Sequence, residues 1–165
     1  MEGQEVTITD MMYCRDRRVQ IQNEFIEKYQ NPVISFCMNI PGPIKTTPLI
    51  RKGFGSGKDA LLASLEKENL ELLESRIFDD ITGPEMLLCV SASAEKIKDL
   101  TTQIEENHPY GRLFDMDVIG TDGQKLSRPS FRKCLICDCQ AQECARSRKN
   151  TIAEMQDKIE EILSR

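Results

Sequence analysis

Apolar residues recur along the chain in two kinds of pattern, one typical of helices and one typical of strands. Four segments carry apolar residues at helical spacing: about Met11 to Tyr29, Lys58 to Glu74, Ala94 to Glu106 and Asn150 to Leu163. Three shorter apolar runs lie between turn-forming residues and indicate strands at 33–39, 86–92 and 112–119. The pattern therefore predicts helices and strands mixed along one chain.

The connections between these segments favour an antiparallel sheet. Residues 41–57 are rich in proline and glycine and predict a loop, and TGPE at 82–85 predicts a turn. A tight turn is predicted at 121–123, after which residues 124–128 are expected to return as a hairpin strand. We therefore expect an α+β fold with helices packed on one face of a mostly antiparallel sheet. Parallel pairing through the helical crossovers stays open.

Length and composition set bounds on this picture. A chain of 165 residues fits one domain, residues 1–165, with residues 1–10 expected to be flexible and residues 150–165 to form the last helix. The net charge of −5 argues against nucleic-acid binding through bulk charge. No apolar run has the roughly 20 residues that span a bilayer, so no membrane partner is expected. The acidic first residues lack the apolar region of a secretory signal, so we expect a cytoplasmic protein.

The strand-like run GRLFDMDV at 111–118 contains two aspartates, although Asp is a poor strand former. Side chains two residues apart on a strand point the same way, so Asp115 and Asp117 share one face while the residues between and around them face the core. Two converging carboxylates repel each other unless a cation lies between them. We therefore expect Asp115 and Asp117 to bind Mg²⁺ or Mn²⁺ together with substrate phosphates. A solvated strand face without a metal is the alternative.

Two flanking segments supply further candidates. His108, the only histidine, precedes the strand and is a candidate general base or a structural cap. Lys45 ends the stiff loop IPGPIK, which predicts either a binding group at a strand end or a rigid turn. GFGSGKD at 53–59 does not match a phosphate-binding loop, because Lys52 stands where glycine is required and Asp59 where Ser or Thr is required. We expect that segment to lead flexibly into the helix.

Four of the seven cysteines lie within residues 132–148, here called the cysteine tract. Cys134 and Cys137 have C-x-x-C spacing, and Cys139 and Cys144 follow, so four thiolates are available for zinc. Zinc sites usually join more widely separated pairs, however, and a redox site would need a strand–helix setting that the tract lacks. We expect reduced, structural cysteines in a reducing compartment, and no zinc. The local excess of basic residues suggests an anion site.

Six motifs occur in the same order as in a known family. They are RDRR at 15–18, PGPIK at 41–45, TGPE at 82–85, HPYGRLFDMDV at 108–118, LSR at 126–128 and the cysteine tract. Through these motifs the chain, from about Met12 to its last helix, resembles the holo-acyl-carrier-protein synthases of citrate lyase, also called apo-citrate lyase phosphoribosyl-dephospho-CoA transferases. The order of all six motifs makes the resemblance specific.

The resemblance implies a transferase reaction. Such enzymes move a phosphoribosyl-dephospho-CoA group from its triphosphate precursor to a serine of the acyl carrier subunit of citrate lyase, and pyrophosphate leaves. The partners expected here are therefore the apo acyl carrier subunit and the triphosphoribosyl-dephospho-CoA donor. Asp115 and Asp117 would bind the divalent ion, and one of them, or His108, would accept the serine proton. Contacts to the triphosphate are expected from Arg15, Arg18, Lys45 and Arg112, and contacts to phosphates or to the carrier from Arg128, Arg132 and Arg146.

The chain departs from the pattern of that family at two positions. Arg17 stands where the family has glutamate, and Asn150 stands where it often has histidine. If that histidine completes a zinc site with three cysteines, Asn150 breaks the site unless Cys139, which is extra, replaces it. Two other classes of function stay open: a zinc-binding interaction module, and a nucleotide- or CoA-binding protein without catalysis.

Overall fold

Four strands form the centre of the structure, a computed structural model that describes residues 1–165. They are β1 (Val33–Met38), β2 (Glu71–Asp80), β3 (Gly83–Ser91) and β4 (Phe114–Ile119). The sheet order is β2-β3-β1-β4, and every neighbouring pair is antiparallel. The predicted α+β class and antiparallel sheet are confirmed, and parallel pairing does not occur.

Five helices surround this sheet. They are α1 (Ile8–Tyr29), α2 (Pro48–Lys67), α3 (Ala94–Asn107), α4 (Ala141–Ser147) and α5 (Ile152–Leu163). The four longer helices each begin after a residue whose hydroxyl accepts a backbone N–H of the first turn: Thr7, Thr47, Ser93 and Thr151. No helix combines the length and the apolar character that crossing a membrane would require.

Helices cover both faces of the sheet. On one face α2 and α3 pack on a core that includes Phe36, Leu88 and Met116. On the other face α1 packs Ile21 and Phe25 against the apolar ends of the strands. The prediction that helices pack on one face is therefore wrong. Because the inner strands carry apolar side chains on both of their faces, each face needs a helical cover.

The loop predicted over residues 41–57 is wrong in its second half, because α2 already begins at Pro48. Its glycines serve packing rather than flexibility. A Cβ added to Gly57 would lie 2.7 Å from the rings of Phe36 and Phe114, so only glycine lets the helix approach the sheet this closely. GFGSGKD is thus part of α2 and not a flexible lead.

The predicted end of this helix is also wrong. The helix ends at Lys67 rather than near Glu74, and Asn69 then adopts a left-handed conformation with φ of 53°. Leu72 and Leu73, which continue the apolar spacing of the helix, belong to β2. The apolar spacing of the helix therefore continues past a chain reversal at one left-handed residue, so this spacing does not show where the helix ends.

Three further segments can be compared with expectation: the N-terminus, the residues after β4 and the cysteine tract. The Val6 N–H donates to the Pro43 carbonyl at 2.9 Å and α1 starts at Ile8, so residues 8–10 already belong to a helix. The flexibility expected for residues 1–10 stays a prediction. The hairpin strand expected at 124–128 is reduced to one bridge between Ile119 and Lys125. The cysteine tract, for which the apolar pattern predicts no helix, contains α4.

Candidate active site

The sheet face that carries α1 is apolar at one end and polar at the other. Beside the N-terminal half of α1, three polar side chains form one row across the sheet, because Cys37 of β1 pairs with Glu85 of β3 on one side and with Asp115 of β4 on the other. Asp117 lies in the next row, opposite Ser35. Directly paired residues of antiparallel strands share a face, so these groups converge on one surface.

Asp115 and Asp117 are both half-buried on this surface. Burial, and secondly the negative charge of Asp117, raises the pKa of the Asp115 carboxyl group. The Lys125 Nζ atom lies 3.2 Å from Asp117 Oδ2 and compensates part of the charge. Hard carboxylate oxygens that repel each other in this way fit a divalent cation such as Mg²⁺.

Glu85, which the sequence did not reveal as a site residue, is buried among arginines of α1. Arg18 Nε donates to Glu85 Oε2 at 2.9 Å, and Arg17 Nη2 donates to Glu85 Oε1 at 3.0 Å. A buried carboxylate needs such partners, and here they fix α1 over the polar end of the sheet. The sequence did contain one signal for Glu85, because a charged residue stands at the start of an otherwise apolar strand.

Cys37 lies between the two acids as a neutral thiol. Its Sγ atom is 4.0 Å from Asp115 Oδ2. Burial, followed by the charge of Asp115, raises the pKa of the thiol to about 12. Because nucleophilic attack and soft-metal binding need the thiolate, Cys37 supplies neither.

A second buried carboxylate, Glu105 near the end of α3, holds the segment that follows β4. Arg132 Nη2 lies 2.5 Å from Glu105 Oε2, and Arg128 Nη1 lies 3.6 Å from the same oxygen. Arg132 also donates to the Gly111 carbonyl at 3.1 Å. These contacts place both arginines beside the exposed edge of β4. Glu105 was not predicted either, because it occurs in an ordinary amphipathic helix.

Three clefts open around this polar surface. The first cleft, of about 220 Å³, includes Arg15, Arg18, Cys37, Lys45 and Asp115 in its lining. The second cleft, of about 560 Å³, includes Lys98, Asp115, Asp117, Lys125, Arg128 and Arg132. The third cleft, of about 720 Å³, includes Arg112, Arg132, Leu135, Ile152 and Met155.

Shared residues join the three clefts into one system. Asn39, directly after β1, lines all three. Asp115 lies between the first and second clefts, and Arg132 lies between the second and third. A ligand that contacts both carboxylates therefore has basic groups on one side and an apolar cleft on the other.

The predicted basic residues differ in how free their charges are. Arg15 lines the first cleft without an acidic partner, and Lys45 Nζ donates to the Ile40 carbonyl at 2.6 Å. Arg18 is paired with Glu85, as described above. Arg112 donates to the Cys134 carbonyl at 2.8 Å and so supports the cysteine tract. Arg146 is exposed on α4 and lines none of the three clefts.

His108 lies on the opposite side of the sheet from the carboxylates. Its ring lies 4.8 Å from the ring of Phe114, which points into the core beneath α2 and α3. Its Nε2 is 3.0 Å from Ser56 Oγ, and its Nδ1 accepts the Tyr110 N–H at 3.0 Å. Burial lowers the pKa of the imidazole. The structure thus gives His108 a structural position, and it does not support a role as general base.

The cysteine tract forms a separate cluster. The Sγ atoms of Cys134, Cys137, Cys139 and Cys144 all lie within 4.8 Å of one another. Asn150 Nδ2 donates to Cys144 Sγ at 3.1 Å and to Cys134 Sγ at 3.5 Å. The short spacing of these cysteines in the sequence had argued against a shared zinc site.

Comparison with known proteins agrees with the resemblance seen in the motifs. The profile of one family, apo-citrate lyase phosphoribosyl-dephospho-CoA transferase, matches residues 6–165. A protein of that name from Citrobacter koseri is 35% identical over 162 residues, which cover 96% of this chain and 88% of the relative. One from Escherichia coli is 33% identical over 163 residues, covering 96% and 89%. The chain therefore belongs to the family of apo-citrate lyase phosphoribosyl-dephospho-CoA transferases.

Proposed function

We propose that this chain transfers a phosphoribosyl-dephospho-CoA group to a serine of the apo acyl carrier subunit of citrate lyase, with Asp115 and Asp117 at the reacting centre. The observation that carries the assignment is the position of these two half-buried carboxylates, which line a cleft with four basic side chains. Membership of the family supports the reaction, and the cleft supports the residues.

The proposed chemistry is a displacement at phosphorus. The serine oxygen attacks the phosphorus nearest the ribosyl group of the triphosphate donor, the bond from that phosphorus to the pyrophosphate oxygen breaks, and a phosphodiester forms. The serine proton passes to a carboxylate of the site. We assign that proton to Asp115, because Asp115 borders both the first and the second cleft and so lies between the two substrates.

Asp115 and Asp117 would also hold a Mg²⁺ or Mn²⁺ ion. The donor set fits, because both ligands are carboxylates on one strand face and the repulsion between them is relieved by a cation. When bound, such an ion neutralises phosphate charge and stabilises the leaving pyrophosphate.

The three clefts suggest how the two substrates are arranged. The second cleft, with Lys98, Lys125, Arg128 and Arg132, matches the triphosphate. The third cleft, with Leu135, Ile152 and Met155, matches the less polar CoA portion of the same donor. The first cleft is left for the serine of the carrier, where Arg15 and Lys45 would attract an acidic protein. We place this reaction in the cytoplasm, where the free cysteines of the chain stay reduced.

Intact-mass measurement of the carrier tests the proposal. The protein is mixed with apo acyl carrier subunit, triphosphoribosyl-dephospho-CoA and Mg²⁺, and we expect a mass gain equal to the prosthetic group. Asp117→Asn should remove the gain, whereas Asp59→Asn, on the exposed side of α2, should keep it. A gain that persists in Asp117→Asn and Asp115→Asn would refute the site, and no gain with a folded wild-type protein would refute the function.

A further inference from the structure

We infer that the cysteine tract binds one zinc ion through Cys134, Cys137, Cys139 and Cys144, at a site separate from the two aspartates. The Sγ atoms of Cys137 and Cys144 are 3.8 Å apart, and all four sulfurs lie within 4.8 Å of one another. A tetrahedral site with Zn–S bonds of about 2.3 Å places neighbouring sulfurs roughly 3.8 Å apart. The structure places the sulfurs of Cys137 and Cys139 as a bonded pair. Zinc binding requires both as separate thiolates at this same spacing.

The burial of the tract points to a metal as its stabilising centre. Between residues 131 and 150, Cys134 and Cys144 are the only buried side chains. Of the large apolar residues in this segment, Phe131 is 78% exposed and Ile136 is 42% exposed, while Leu135 is only partly buried. A segment of twenty residues with no apolar core of its own needs another source of stability, and a structural metal is one of the few available.

Donors around the sulfurs match a thiolate cluster. The Asn150 side-chain amide donates to three sulfurs, at 3.1 Å for Cys144, 3.5 Å for Cys134 and 3.9 Å for Cys137. Hydrogen bonds of this kind stabilise negative sulfur and orient the ligands around a metal. Asn150 thus acts as a partner of the ligands rather than as a ligand.

The charge of the surroundings also fits. Zn²⁺ with four thiolates has a net charge of −2. Six basic residues and two acidic residues occur between positions 128 and 149. The basic residues are Arg128, Arg132, Lys133, Arg146, Arg148 and Lys149. A chain of net charge −5 therefore concentrates positive charge where this complex needs it.

The short spacing between the cysteine pairs, which argued against zinc in the sequence, has a structural explanation. The Cys134 N–H donates to the Cys139 carbonyl at 2.8 Å, and Lys133 forms a bridge with Gln140, so residues 133–140 make a tight hairpin. Helix α4 starts at the end of this hairpin and carries Cys144 back to the other sulfurs. The hairpin and α4 together therefore bring all four sulfurs to one place, although only a few residues separate the two cysteine pairs.

The zinc site has a structural role in this arrangement. Arg112, which lines the third cleft, donates to the carbonyls of Lys133 and Cys134 at the start of the hairpin. Zinc would fix these carbonyls and, through them, one wall of that cleft. The inference does not rest on the proposed transfer, since the cluster is built from residues outside the carboxylate site.

Metal analysis of the untreated protein is the first test. We expect about one zinc per chain by elemental analysis, and Co²⁺ in its place should show the absorption of tetrahedral thiolate coordination. After denaturation with a chelator and without reductant, seven thiols should react, because every cysteine is then free. Five reactive thiols and no zinc would overturn the inference, since Cys137 and Cys139 would then be bonded to each other.

Variants and metal removal give a second test. Cys144→Ser should lower the zinc content about tenfold or more, while Cys89→Ser, at a buried cysteine beneath α1, should keep one zinc. To test the site independently of how the variant folds, wild-type protein is also stripped with a zinc chelator and then supplied with Zn²⁺. The Tm should fall on removal and recover on addition. A Tm that does not respond, or zinc retained in Cys144→Ser, would overturn the inference.

Discussion

Cys37 and Asp115 lie directly opposite each other on β1 and β4, with the Cys37 sulfur 4.0 Å from a carboxylate oxygen. The carboxylate disfavours a second negative charge beside it, and burial disfavours it further. The thiol therefore stays protonated and occupies the middle of the polar row as a small neutral group.

This relationship predicts slow alkylation of Cys37. With a pKa of about 12, the thiol remains protonated at pH 8, and its reaction rate with iodoacetamide should keep rising as the pH approaches 11. The rate at the same cysteine in denatured protein should level off near the ordinary thiol pKa. Mass spectrometry of the labelled peptide measures both rates. Levelling near pH 9 in the folded protein would contradict the prediction.

Replacing Asp115 by asparagine should raise stability and remove activity. Asp115→Asn removes a charge that Asp117 repels, so we expect the free energy of unfolding to rise by about 0.5 kcal/mol without added metal. The same change should abolish carrier modification and the rise in Tm that Mg²⁺ gives the wild-type protein. Thermal unfolding with and without Mg²⁺ measures this, with Asp59→Asn as the control. A destabilised variant that still responds to Mg²⁺ would count against the carboxylate pair.

Two glycines of α2 form a matched pair for testing its packing. Gly57→Ala should destabilise the protein by about 1–3 kcal/mol, because the new Cβ would lie 2.7 Å from two phenylalanine rings. Gly55→Ala has no atom within 4 Å of its Cβ and should stabilise the helix by about 0.5–1 kcal/mol. Denaturant unfolding of both variants gives the difference. Equal effects would show that α2 does not approach the sheet as described.

His108 gives a pH prediction that a single NMR signal can test. Burial lowers its pKa below the ordinary value of 6.5, so the folded state disfavours protonation. As the pH falls below 6.5, the unfolded chain binds a proton that the folded chain does not, and stability decreases down to the folded pKa. Titration of the only imidazole should show the lowered pKa, and His108→Gln should reduce the loss of stability. A pKa at or above 6.5 would contradict the buried position.

Local patterns were sufficient for some parts of the fold and insufficient for others. The strand that carries Asp115 and Asp117 was predictable because its alternation of polar and apolar residues matches the period of a strand. The start of α2 was not predictable, because a glycine such as Gly57 is typical of loops. Only the folded structure shows that Gly57 packs against Phe36 and Phe114. The covering of the second sheet face by α1 likewise depends on contacts between distant segments.

The same limit applies to the candidate site. The two aspartates are neighbours in the sequence, and their shared face follows from strand geometry alone. Glu85 and Glu105 were missed because their importance comes from arginines that fold onto them from other elements. His108 is close to Asp115 in the sequence, but the two side chains lie on opposite sides of the sheet. Spacing along the chain does not reveal this separation.

Arg132 and Arg112 attach the region after β4 to the rest of the molecule mainly through polar contacts. Because this region buries few apolar side chains, its amides should exchange with solvent at a lower opening free energy than those of the sheet. Local opening of residues 125–150 would remove walls of the second and third clefts while the strand that carries the aspartates remains folded. Without the zinc ion inferred for the cysteine tract, the walls of both clefts would thus be lost before the sheet unfolds, and the donor proposed to bind there would slow that opening.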